Sequence, residues 1–302
     1  MSSLLCFGMG YSAVELGRRL VPRGWAVAGT SMSAAGAAQL EAQGFEGHVF
    51  EGHATTHATT HDDDIRPLQP RLAARLDTVT HAVISVPPDV NGDPVLRSFG
   101  RALTDAPNLK WFGYLSTIGV YGDHQGGWVD ETTPPKPGSV RSRRRVDAEN
   151  AWLEFGARTG CHVQIFRLAG IYGPGRSAID NVRDGSARRI IKPGQVFNRT
   201  HVADIASVLE AAIARPGHDT IFNVTDDEPA PPQDVIAFAA ELLNVPVPPG
   251  INFADATFST MGRSFYSENK RVRNERIKKE LGVKLQYPTY REGLAALAKT
   301  TR

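Results

Sequence analysis

The sequence predicts an α/β fold, a doubly wound parallel sheet that carries a smaller C-terminal cap. Three observations predict it. Short apolar runs alternate with helical patterns through most of the 302 residues, the reading of a parallel sheet flanked by helices. The first run leads directly into Gly8-Met-Gly-Tyr-Ser-Ala13, a glycine turn that opens a helical pattern. From Asp226 onward the alternation gives way to proline-rich segments. A chain of this length accommodates one large α/β domain and a smaller cap, each with its own core. We assign 1–173 and 201–225 to the α/β domain and 174–200 and 226–302 to the cap.

The strands read in order as Ser3–Phe7, Ala26–Thr30, Gly47–Phe50, His81–Val86, Trp111–Leu115, Val163–Leu168 and Thr220–Val224, each a short apolar run bounded by turn residues. Between them, Ala13–Val21, Ala148–Ala157 and Ala203–Ala214 repeat their apolar residues at helical spacing. In the cap, a helix at Pro232–Leu243 lies between proline-rich Glu228–Pro232 and Val245–Pro249, and a basic stretch, Asn269–Gly282, follows. One segment is repetitive: His53-Ala-Thr-Thr-His57-Ala-Thr-Thr-His61. On a helix its histidines would stack on one face and could ligate a metal. Threonine and the aspartates that follow are poor helix formers, so the segment reads as a surface loop and not a metal site.

Composition narrows the function classes. Hydrophobic residues make up 41% and charged residues 22%, an ordinary globular balance. A net charge of +2 gives no general attraction to nucleic acid. No apolar run approaches the roughly 20 residues that span a bilayer. The start lacks a basic n-region and turns glycine-rich at once, and the two cysteines, Cys6 and Cys161, make no disulfide framework. Cys6 lies in an apolar run and reads as a buried reduced thiol. These features point to a cytoplasmic protein.

The glycine turn carries the most chemistry. Gly8 permits the tight turn, Gly10 lets a pyrophosphate approach the backbone, and Ala13 is small enough for close helix–strand packing. Phosphates then sit at a helix N-terminus, where backbone N–H groups and the dipole favour negative charge. This is the dinucleotide-binding turn of a Rossmann-type sheet, and it assigns Gly8, Met9, Gly10, Tyr11, Ser12 and Ala13 to the cofactor. Ser31 and Met32 after the second strand, and Val86 and Pro87 after the fourth, complete the set. An acidic residue at the second strand's end would select NAD through the ribose hydroxyls. Here the strand ends Gly29-Thr-Ser-Met-Ser33, with hydroxyls and no carboxylate, which favours NADP over NAD although no arginine is there to pair with a 2′-phosphate.

Leu115-Ser-Thr-Ile-Gly-Val-Tyr-Gly122, Phe166-Arg-Leu-Ala-Gly-Ile-Tyr-Gly-Pro174, Thr200-His-Val-Ala-Asp-Ile205 and the ending Tyr287-Pro-Thr-Tyr-Arg-Glu-Gly293 follow the turn in order. Together they resemble the extended short-chain dehydrogenases, the NAD-dependent epimerase/dehydratase family, and the glycine pattern is closer to the atypical branch of that superfamily. The resemblance covers nearly the whole chain. It implies a Ser/Thr after the fifth strand and a Tyr-x-x-x-Lys on the following helix, the lysine holding the ribose and lowering the tyrosine pKa so that a proton moves as hydride does. The Ser/Thr maps onto Thr117. The dyad maps, just ahead of Ala148-Glu149, onto Arg141 and Arg145, and arginine stays protonated and cannot act as the base. Arg145 can retain the ribose contact, and Tyr121, on the loop of Thr117, is the nearest candidate for proton transfer. We therefore take Thr117, Tyr121 and Arg145 as the catalytic set. A literal Tyr266-Ser-Glu-Asn-Lys270 lies in the cap, away from its expected place. Ile118-Gly119 replaces the Asp-Glu of sugar-nucleotide dehydratases, and Phe197 replaces the phosphate-binding arginine of sugar-nucleotide epimerases.

In the cap, Arg176, Arg188, Arg189, Lys192 and Arg199 cluster in the segment that the resemblance turns toward substrate. They suggest an anionic ligand, with Arg176, Asn198 and Arg199 as its contacts and His201 holding a helix start. The run Arg141–Arg145 has no interleaved aromatic residues and reads as a solvated helix face, not a nucleic-acid patch. Two functions stay open. One is an atypical NAD(P)-dependent oxidoreductase or epimerase acting on a small polar substrate. The other is a dinucleotide-binding sensor or scaffold without turnover. The missing dyad favours the sensor, and the retained cap motifs favour the enzyme. Oligomeric state is not legible.

Overall fold

The structure, a computed structural model, describes residues 2–52, 70–217 and 220–300; the histidine repeat His53–His61 lies outside them. The chain opens with β1 (Ser3–Phe7), α1 (Tyr11–Leu20), β2 (Ala26–Ser31), α2 (Ala34–Ala42) and β3 (Glu46–Val49). Next come α3 (Pro70–Leu76), β4 (His81–Ile84), α4 (Pro94–Asp105) and β5 (Trp111–Thr117). A short strand, β6 (Trp128–Val129), precedes α5 (Val140–Thr159), β7 (His162–Leu168) and β8 (Gly170–Tyr172). Then follow α6 (Ala178–Arg183), β9 (Arg189–Ile191), β10 (Arg199–His201), α7 (Val202–Ala214) and β11 (Thr220–Val224). The last stretch holds α8 (Pro232–Leu242), β12 (Gly250–Asn252), α9 (Thr260–Phe265), β13 (Arg271–Val272), α10 (Glu275–Lys279) and α11 (Tyr290–Thr300).

Seven strands form one parallel sheet in the order β11-β7-β5-β4-β1-β2-β3, the doubly wound arrangement that the alternating pattern predicts. The order reverses beside β1, whose residues pair with β2 from Ser3 opposite Ala26 and with β4 from Leu4 opposite His81. All five β1 residues are buried, and Leu4 to Phe7 form an unbroken apolar run. The short pairs β8–β10, β9–β12 and β6–β13 lie outside the sheet. Two compact units divide the chain. The first comprises 1–116, 143–166 and 209–221, and the second 117–142, 167–208 and 222–302.

Local chemistry explains the helix boundaries. Asp93 caps α4, its Oδ1 accepting from Val95 N–H (2.9 Å) and Leu96 N–H (3.0 Å), with Pro94 in the first turn. The face Val95, Phe99 and Leu103 is buried, at spacings of four residues. Ser33 caps α2 through Gly36 N–H. The first unit's core joins these faces to β4, β5 and α5 through Phe7, Phe99, Phe112, Trp152 and Phe155. Each such buried side chain contributes roughly 1.5–3 kcal/mol relative to exposure. The second unit has its own core of Tyr172, Ile179, Val235, Ala239, Tyr290 and Leu294. One helix differs from the sequence reading: α5 begins at Val140, not Ala148. Arginine is a good helix former, but a run of charge carries no apolar period to mark the helix start.

Candidate functional site

Gly8 follows β1 at φ +78°, and a Cβ there would stand 3.0 Å from Val86 Cγ2. Both the left-handed backbone and the close neighbour require glycine. The turn is fastened to β2: Gly8 N–H donates to Thr30 Oγ1 (2.8 Å), and Met9 N–H donates to Thr30 O (2.9 Å). Gly10 then forms the N-cap of α1 at φ −91° with no side-chain cap bond. A Cβ on Gly10 would meet no atom within 4 Å among the described residues. Its lack of a side chain therefore serves nothing inside the chain, and it leaves a backbone cradle at a helix N-terminus that suits a pyrophosphate.

The other residues of this group divide by environment. Ala13 is 1% exposed and lets α1 close on the sheet. Met9 turns its side chain inward over Gly17 and Gly29, so that only its backbone belongs to the turn. Val86, with Pro87 after it, stands beside Gly8, and Ser31 packs against Gly36. Met32 is 73% exposed. Thr30, buried within an apolar strand, was not among the expected contacts, and it is the residue that ties the second strand to the turn.

Arg141 and Arg145, which the resemblance maps onto the dyad, both lie on α5, Arg141 exposed and Arg145 half-buried. Arg145 Nη1 donates to the Tyr114 hydroxyl and to Leu115 O, both at 3.0 Å, and its guanidinium lies 5.7 Å from the Tyr114 ring centre. Burial pushes the Tyr114 phenol above its ordinary range, and Arg145 opposes that shift. One turn further along α5, buried Glu149 accepts from Ser116 Oγ. Burial also raises the Asp93 carboxyl, and Arg145 is among the charges that hold it down. Arg145 is thus a cation set among Tyr114, Asp93 and the β5 backbone.

Thr117 ends β5, its Oγ1 accepting from Gly119 N–H at 3.1 Å to start the short turn Ile118–Tyr121. Tyr121 is fully buried, and its hydroxyl donates to Asn223 Oδ1 (2.8 Å). Asn223 N–H in turn donates to Glu131 Oε1, and Asn223 Nδ2 to Arg273 O. Burial raises the Tyr121 pKa, while Arg167, 4.9 Å from the ring centre, lowers it. In the second unit the literal Tyr-x-x-x-Lys serves two separate packing roles. Tyr266 sits among Phe197, Phe253 and Phe258, while buried Lys270 donates to Gly122 O (2.7 Å) and pairs with Glu268 (2.6 Å).

The three expected substrate contacts have different surroundings. Arg176 is exposed. Asn198 is buried, its amide donating to Lys270 O (3.0 Å) and accepting from Val272 N–H (2.9 Å), which pins β13. Arg199 lines a cavity, its Nη1 donating to Phe197 O and Ala230 O. His201 Nδ1 accepts from Ala203 N–H at the start of α7. Among the described residues no group of three or more His, Cys, Asp or Glu is arranged to hold a metal, and no helix is long and apolar enough to cross a membrane.

No family model matches the chain. A functionally unknown conserved protein from Silicibacter pomeroyi is 50% identical, with 99% of each chain covered and a TM-score of 0.86. A protein provisionally assigned as an NAD-dependent epimerase/dehydratase from Methylobacillus flagellatus is 25% identical over 99% of this chain and 98% of its own, with a TM-score of 0.69. Protein YeeZ of Escherichia coli K12 is 26% identical over 307 residues, 95% of this chain and 97% of YeeZ. A dTDP-glucose 4,6-dehydratase and a UDP-glucuronic acid 4-epimerase from Bacillus, each solved with NAD, share the fold at 15% and 17% identity and TM-scores of 0.74 and 0.75. With a seven-stranded doubly wound sheet and a glycine turn at its first crossover, the chain shares over nearly its full length the fold of structures of the NAD-dependent epimerase/dehydratase family.

Proposed function

We propose that this chain is an NAD(P)-binding, atypical short-chain dehydrogenase/reductase of the cytoplasm, acting as an oxidoreductase or epimerase on a small polar, anionic substrate. Gly10 carries the reading: a Cβ there would meet none of the described residues within 4 Å, and its place at the N-terminus of α1 suits a pyrophosphate. The nicotinamide of the dinucleotide would supply hydride transfer. The chain's own part is to hold it, with Gly8 to Ala13 at the diphosphate, Ser31 and Met32 toward the adenosine ribose, and Val86 and Pro87 along the turn. The hydroxyl-ended second strand, without a carboxylate, supports NADP, and the NAD-dependent relative from Methylobacillus supports NAD.

For the chemical step, Thr117 keeps its hydroxyl proton while accepting from Gly119, so it can donate to a substrate oxygen. Arg145 contributes a fixed positive charge and no base. Tyr121 can move a proton only after its bond to Asn223 opens. That constraint also supports the second reading, a dinucleotide sensor without turnover.

The test is a fluorescence titration with NADH and NADPH of the wild-type chain and Gly10→Asp. The carboxylate would crowd and repel the pyrophosphate, so binding should fall by more than about a hundredfold with the thermal midpoint retained. Unchanged affinity would remove the assignment. A carbonyl and sugar-nucleotide turnover panel on the same preparation separates enzyme from sensor.

A further inference from the structure

The second unit contains a cavity of about 240 Å³ lined by α6, α8 and α11. Its polar lining includes Asn181, Arg188 and Arg199, and its apolar wall includes Val235, Ile236 and Leu294. Arg199 has five N–H donors in a rigid fork, and the bonds it makes to Phe197 O (2.9 Å) and Ala230 O (3.1 Å) both leave from Nη1. The Asp226 carboxylate acts on it through space, and buried Asp226 Oδ2 has no hydrogen-bond partner among the described residues. Burial makes Arg199 hold its charge less firmly than an exposed arginine does. A half-buried guanidinium that lines a cavity gains from an anion that pairs with its remaining donors. Arg188, exposed, adds a second positive charge at the same cavity.

We propose that this cavity binds a small carboxylate with a short apolar body, its carboxylate received by Arg199 and Arg188 and its body lying on Val235, Ile236 and Leu294. The size fits: the volume falls below the roughly 300–1,000 Å³ typical of drug-sized ligands, so the occupant is small. Inorganic phosphate shares the charge but leaves the apolar wall uncovered. The inference deepens the reading of Arg199 as a substrate contact and rests on it.

The experiment titrates the full chain by calorimetry, without dinucleotide, using hexanoate, its neutral isostere hexanamide and inorganic phosphate. Hexanoate should bind saturably at one site, with hexanamide and phosphate each about tenfold weaker or more. R199M should weaken hexanoate by about tenfold. Because Arg199 also holds two backbone carbonyls, R188M at the exposed rim serves as the second variant, with an expected loss of about threefold. No saturable hexanoate binding to the folded protein, equal binding of hexanamide or phosphate, or unchanged affinity in both variants would each overturn the proposal. NADH is titrated into the same samples. Lost NADH binding with intact hexanoate binding would sink the dinucleotide reading alone, and the reverse result would sink this one alone.

Discussion

Gly8 and Gly10 are two residues apart, and they are glycines for opposite reasons. At Gly8 the backbone is left-handed and Val86 stands close by, so the protein's own packing demands it. At Gly10 the backbone is ordinary and a side chain would meet nothing. Gly8→Ala should therefore lower stability by about 1–3 kcal/mol in urea melts. Gly10→Ala should leave stability within about 0.5 kcal/mol and weaken dinucleotide affinity. Equal destabilisation of the two would contradict this account. Ala148-Glu149 gives the register by which the resemblance maps Arg145 onto the lysine position. The partner of Arg145, Tyr114, was not legible, since a tyrosine inside a buried strand reads as one more apolar residue. Arg145→Ala should cost about 1–3 kcal/mol, because Tyr114 and Leu115 O lose a charged donor and Asp93 loses a compensating charge.

At the scale of elements, the strands were the legible part. All seven sheet strands were found within a residue or two, because strands buried on both faces are continuous apolar runs. Helices α2 and α6 had no such signal: they are short or carry glycine, and their caps (Ser33, Ser177) identify them only once the backbone bonds are seen. Helix α4, with Asp93-Pro94 ahead of Val95, Phe99 and Leu103, carried a start signal and a helical period that our reading left unassigned. Helix α11 shows how contact overrides propensity. Gly293 lies in its buried face, where a Cβ would overlap the Tyr172 hydroxyl and come within 2.7 Å of its ring. On an exposed helix, Gly→Ala gains about 1 kcal/mol. Here overpacking wins, and Gly293→Ala should lower the urea midpoint by the equivalent of about 1–3 kcal/mol. A raised midpoint would show that α11 shifts freely away from Tyr172.

For the molecule as a whole, acid stability depends in part on a buried histidine. His81 is buried, its ring centre 5.0 Å from Trp25 and 6.0 Å from Trp111, with Nδ1 2.8 Å from Thr80 Oγ1. Burial, helped by Lys110, lowers its pKa from 6.5 to about 4. The folded state therefore binds this proton less readily than the unfolded chain. Its contribution is complete above pH 6.5 and is lost as the pH falls toward 4, on the order of 3 kcal/mol in all. Asp93, with a raised pKa, acts in the opposite sense, so the clean measurement is a difference. His81→Phe should flatten the slope of stability between pH 6.5 and 4 relative to wild type; parallel curves would assign the loss elsewhere. The division into two units was less legible than the sheet, because 117–142 and 167–208 join the second unit while their flanking strands read as continuous α/β pattern.

The sheet order has a consequence during synthesis. Strand β5 neighbours β7 in the finished sheet, yet the ribosome makes β7 about 45 residues after β5 is complete. At roughly 5–20 residues per second, the outer rim of β5 waits about 2–9 seconds for its partner. During that wait a row of backbone N–H and C=O groups on an apolar strand is a template for another nascent chain. The segment made in the interval contains the arginine run at 141–145, so the emerging chain carries concentrated like charge next to its stickiest edge. Like charge on a nascent chain repels its neighbours, so replacing Arg141, Arg143 and Arg144 with glutamine should raise the aggregated fraction in cell-free synthesis, and an unchanged fraction would contradict this account.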